Sequence, residues 1–183
     1  MKKLFSLLVA TFALVGFNAN ANSNLATEIM VQNALISAAS EVHINNAINW
    51  KVGEYQELDM TSTFGSLGKM KKFVASEEGN AIWVNQEVSG MMSQKAEILM
   101  DRADGKILKM RVNGQDQQIP DSKIEIIDQE STNITVPAGT FDVIHIKAKA
   151  DGKNLEVWMN PRDITMDGTA QMTMDTGLIP ITM

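Results

Sequence analysis

The side chains that could carry chemistry are few, and their spacing favours structure over catalysis. The chain has two histidines, His43 and His145, and no cysteine. Nucleophilic catalysis needs a nucleophile, a base within hydrogen-bond reach and a group that orients the base. His145 stands mid-strand in Val143-Ile144-His145-Ile146 with no nucleophile elbow, so it reads as a structural histidine whose nitrogens are satisfied. Neither histidine has the close ligand spacing of a zinc site. Met172-x-Met174 puts two soft thioethers on one strand face, a pairing suited to Cu(I). Core packing demands the same spacing, and core is the first reading.

The acidic residues Asp101, Asp104, Asp121, Glu125, Asp128 and Glu130 lack the alternating order of a calcium loop and read as solvated turns and strand faces. Lys69, Lys71 and Lys72 form the densest basic cluster. An exposed strand face is the simplest account of it, with a patch for an anionic partner as the alternative. No catalytic constellation assembles, so the expectation is a protein that is not an enzyme and uses no metal or cofactor. Methionine is the compositional oddity: there are 13, against one tyrosine. Its flexible, polarisable side chain fills irregular gaps and lines surfaces that accept varied apolar ligands. Met70, Trp83, Met110 and Trp158 are the residues expected to line such a cavity.

Elements must position these groups. Residues 1–21 have the three parts of a secretory signal: Lys2-Lys3, an apolar run from Leu4 to Phe17, and a small-residue end at Asn18–Ala21. Cleavage after Ala21 is expected, giving an exported, periplasmic protein. The mature residues 22–183 have the length of one domain, and no later stretch approaches the roughly 20 apolar residues of a membrane span. The formal charge is −6, or −8 without Lys2 and Lys3, which disfavours nucleic acid and anionic lipid headgroups. From Leu25 to Val42 the apolar residues Val31, Leu35, Ala38 and Val42 fall on one helical stripe.

Strand periodicity dominates thereafter. Between Thr140 and Lys149, Phe141, Val143 and His145 point one way while Ile144, Ile146 and Ala148 point the other. Asp151-Gly152 suits a tight reversal, and Leu155, Val157 and Met159 return. Pro137-Ala138-Gly139 marks a bend or bulge before this hairpin. A second bulge is expected near Tyr55, a hairpin loop at Asp101–Gly105, a turn at Asn113-Gly114 and a polar loop over Gln115–Ser122. Short connections of this kind give an antiparallel meander.

The run VPAGTFDVIHIKAK, followed by a strand ending Trp158-x-Asn160-Pro161, resembles a segment of secreted bacterial proteins of uncharacterised function built around an AGTF bend. Those resemble in turn the lipoprotein-carrier superfamily, whose strongly curved antiparallel sheet closes around a helix and shelters acyl chains. The resemblance covers Asp104–Met110 and Ile134–Pro161 and carries over no catalytic residue. The expected architecture is α+β: a curved antiparallel half-barrel of nine or ten strands around one N-terminal amphipathic helix. The expected partner is a lipid or a lipoprotein acyl chain. A protein-interaction module with a filled core is the second reading, and a methionine-based copper binder the third.

Overall fold

The computed structural model describes residues 48–90, 93–119, 124–150, 153–175 and 180–183. Eleven strands form one antiparallel sheet. They are β1 (Tyr55–Ser62), β2 (Gly65–Glu78), β3 (Ala81–Gly90), β4 (Gln94–Asp101), β5 (Ile107–Val112) and β6 (Gln115–Gln117). The remainder are β7 (Ile124–Val136), β8 (Gly139–Ala150), β9 (Lys153–Met159), β10 (Thr169–Asp175) and β11 (Pro180–Thr182). Their order across the sheet is β6-β5-β4-β3-β2-β1-β11-β10-β9-β8-β7, so β6 and β7 are free edges and the sheet is open.

The fold of the described residues is therefore all-β, which corrects the α+β expectation: they contain no helix, and the strands number eleven, not nine or ten. The helix expected over Leu25–Val42, the export signal with its cleavage site after Ala21, and His43 all lie outside the described residues. Gln115–Gln117, expected within a polar loop, is a strand that shows no apolar period because it runs along an edge where solvent replaces a neighbour; the polar middle of β7 joins Ile124–Ile127 to Ile134–Val136 as one edge strand for the same reason. The Pro137-Ala138 step is a two-residue hairpin turn, with Val136 opposite Gly139, and no bulge lies there. Nor does a bulge lie at Tyr55; the irregularity of β1 falls between Met60 and Thr61.

Chain connectivity dictates the shape. Six residues separate Gln117 of β6 from Ile124 of β7, and seven Cα steps reach at most about 25 Å. In a flat sheet, ten gaps of about 4.8 Å would hold these two edges about 48 Å apart. The sheet must roll until its edges approach, and register shifts at Met60/Thr61, Val74/Ser76, Leu99/Met100, Ile126/Asp128 and Thr169/Gln171 supply the local twist and bend. Rolling gives the sheet an inner and an outer face. The inner one holds a buried cluster that runs from Met110 and Val112 through Met70 and Met60 to Met172, Val157, Ile146 and Ile124.

Close approach fixes one cross-strand pair in particular. Gly68 and Gly90 are cross-strand partners at φ 134° and 130°, and a Cβ on Gly68 would collide with the Ser89 carbonyl. Gly68→Ala is expected to cost about 2–3 kcal/mol and lower Tm by roughly 5–10 °C. Gly114→Ala also has positive φ but meets open space, and should cost about 1 kcal/mol. Thermal melts of the two variants check the ordering.

Candidate functional site

Register assigns every strand residue to a face. On the inner side β1 presents Gln56, Leu58 and Met60; β2 presents Met70, Lys72 and Val74; β3 presents Ile82, Val84, Gln86 and Val88. Alternation therefore places Gln56, Lys72 and Gln86 opposite one another at a single level across three strands. All three are buried, at 7%, 5% and 1% exposure. The inner face carries two apolar clusters beside this polar rung: a large one with Met60, Met70, Met110, Met159, Met172 and Met183, and a small one of Val74, Ile82, Val84, Met100 and Met166.

The loop between β9 and β10 meets the rung. Asn160 organises its start: the side-chain oxygen accepts the amides of Arg162 and Asp163, each at 3.0 Å, while Nδ2 donates to the Asp142 carbonyl at 2.8 Å. At the far end, Gly168 at φ 75° lies so close to Pro161 that a side chain there would collide with its backbone. Between them, Met166 enters the small cluster and Asp167 forms a hydrogen-bonded ion pair with Lys72, their side chains 0% and 6% exposed. Asp167 also accepts the Thr169 amide at 3.1 Å. Thr165 Oγ1 donates to the Tyr55 carbonyl at 3.1 Å, and Gln56 Nε2 donates to the Thr169 carbonyl at 2.8 Å. Gln86 donates to the sulfur of Met70.

The residues expected to line one cavity do not converge. Met70 and Met110 lie in the large inner cluster, at 1% and 2% exposure. Trp83 and Trp158 sit on the outer face, because Trp83 is in register with Leu99 and Lys109, and Trp158 with His145 and Gln171. Trp83 donates to Glu78 at 2.9 Å beneath the Arg111 guanidinium. Trp158 stacks on His145 with centroids 4.2 Å apart and planes 7° from parallel. The His145 nitrogens face two carboxylates, Nδ1 at 3.3 Å from Glu130 and Nε2 at 2.9 Å from Glu156. Met172 and Met174 both turn inward, the first at 0% exposure in the large cluster and the second packed against it.

Lys72 was grouped by sequence with Lys69 and Lys71 as an exposed strand face, and the structure corrects this. Lys69 and Lys71 are exposed on the outer face, opposite Asp59 and Glu57; Lys72 is on the inner one. Lys69 donates to Glu57 at 2.7 Å, and that hydrogen bond, with the charge behind it, holds the Glu57 carboxyl below its ordinary value and raises the Lys69 ammonium. Gln56 and Gln86 were missed, although both stand in phase with apolar neighbours, Leu58 for the one and Val84 and Val88 for the other. A groove of about 240 Å³ between Glu87–Ser89, Ser93–Lys95 and Asn113 is lined by polar side chains apart from Val88.

No family model, curated protein or solved structure matches the chain. Among the described residues no helix is long and apolar enough to cross a membrane.

Breaking a buried ion pair from one side leaves the other charge uncompensated, at a cost of about 3–5 kcal/mol. Lys72→Met and Asp167→Asn are each expected to lower stability in urea. The double variant should fall short of their sum by about 1 kcal/mol or more, measured as a double-mutant cycle.

Proposed function

We propose that this is an exported, periplasmic protein that acts by binding, without catalysis, and holds an apolar ligand against its inner face. The ligand is a lipid or a lipoprotein acyl chain. One observation carries the reading: every methionine among the described residues lies in or against the two inner clusters, leaving the outer face to charged pairs and tryptophans. Branched side chains would fill such a space rigidly. Thioether chains turn about three bonds and can repack around a guest. An open sheet adds a seam between β6 and β7 that a closed barrel lacks. The signal-like residues 1–21 and the AGTF-type segment support the same reading.

A second reading is favoured by the completeness of the burial. Met70, Met110 and Met172 are at most 2% exposed, as in a filled core, while β7 offers 13 residues of edge to a protein partner. Organic extraction of the purified protein, followed by mass spectrometry, separates the two. The carrier should release lipid in near-stoichiometric amount and bind a fluorescent fatty-acid probe that lipid displaces. A clean extract together with no probe binding would leave only the interaction module.

A further inference from the structure

Among the described residues, one buried side-chain polar atom has no hydrogen-bond partner. Gln56 is 7% exposed, and because its Nε2 is committed to the Thr169 carbonyl, the amide orientation is fixed. Its Oε1 is buried and accepts no hydrogen bond. That atom lies at the boundary of the large apolar cluster, one inward position from Leu58 on the same strand. The charge beside it is already balanced. Lys72, the cross-strand neighbour of Gln56, is paired with Asp167, whose other oxygen takes the Thr169 amide.

This combination discriminates by chemistry. A second anion placed at the rung would face Asp167, and a cation would face Lys72, each desolvated with no counter-charge of its own. A neutral group that only accepts hydrogen bonds would leave Oε1 as it is. A neutral donor satisfies it.

We propose, resting on the apolar-ligand reading, that Gln56 Oε1 is the acceptor for the ligand's head. The ligand is then a neutral amphiphile whose head donates one hydrogen bond from an O–H or an amide N–H. Its chain runs from Gln56 over Leu58 and Met60 into the large cluster. A site built around such a bond rejects an analogue that lacks the donor, because the acceptor stays buried and unpaired. The expected discrimination is about tenfold to a hundredfold.

The full chain is loaded with the neutral dye 1-N-phenylnaphthylamine, which is displaced by four C16 probes: hexadecanol, its methyl ether, palmitamide and palmitate. Hexadecanol or palmitamide should displace the dye at concentrations about 10–100 times lower than the ether, and palmitate no better than the ether. The stronger of the two donors tells hydroxyl from amide. Gln56→Met should abolish the preference, bringing alcohol, amide and ether together. Equal displacement by alcohol, amide and ether in the wild-type protein would overturn the proposal, since a trapped water then serves Oε1, and this comparison needs no variant to fold. Palmitate as the tightest probe, or a preference that survives Gln56→Met, would overturn it too. Binding of none of the probes would remove the apolar-ligand reading itself, a result distinct from binding without discrimination.

Discussion

Six residues between β6 and β7 set the geometry of everything else. The two strands are opposite edges of an eleven-stranded sheet, and a chain that short cannot join them unless the sheet rolls. Rolling decides the chemistry of each face. Side chains on the inside are brought towards one another across strands that are not neighbours, which is how a single sheet can bury Met70, Ile98, Met110, Ile146 and Met172 to 2% or less. On the outside the strands fan apart, and there the sequence places cross-strand charges such as Glu57 with Lys69 and Arg111 with Asp116. The register shifts, spread over both halves of the sheet, distribute the bend so that no single ladder is broken over a long stretch.

The rolled sheet has a weak point, and the buried ion pair sits at it. β11 has three residues, and its described ladder with β1 pairs only Thr61 and Ser62. At the opposite end of β1, the loop from Asn160 to Gly168 takes the place of a strand through the bonds of Thr165 and Gln56. Lys72 and Asp167 pin that loop to the inner face. A buried pair of this kind adds little net stability, since desolvation offsets most of the attraction, but it penalises any arrangement in which either charge is alone. Its contribution is therefore to position. The loop has one place to sit, and Met166, at φ 57°, is carried with it into the small cluster.

Local alternation was legible from sequence wherever one face is apolar. The inward set Ile144, Ile146 and Ala148, the return strand Leu155 to Met159, and the loop closed by Gly105 at φ 72° all stand where periodicity puts them. Asn113 and Gly114, at φ 51° and 80°, form the turn their types demand. The edges were not legible, because a strand with solvent on one side has no need of apolar residues there. Lys72 was misread for a related reason: three lysines within four positions look like one patch, yet alternation sends Lys72 to the opposite face from Lys69 and Lys71. Asp167, 95 residues away in sequence, gives no local sign that it is the partner. The pairing of Trp158 with His145 follows from the hairpin register, which puts both on the outer face.

Open edges raise a question that a closed barrel avoids, because unpaired backbone groups invite a second chain. β6 answers by being only three residues long. β7 is long, and its protection comes from composition and shape. Glu125, Asp128 and Glu130 lie on its outer face opposite Lys149, Lys147 and His145 of β8, so the two lysines lie on the inner neighbour and the edge strand itself is acidic. A second copy of β7 pairing there would set acid against acid, which is unfavourable for directly opposed residues. The extra residue Ile127, 55% exposed, bulges the strand between Ile126 and Asp128 and breaks the straight ladder a partner would need. The composition and shape of β7 thus leave both edges of the sheet unpaired without inviting a second chain.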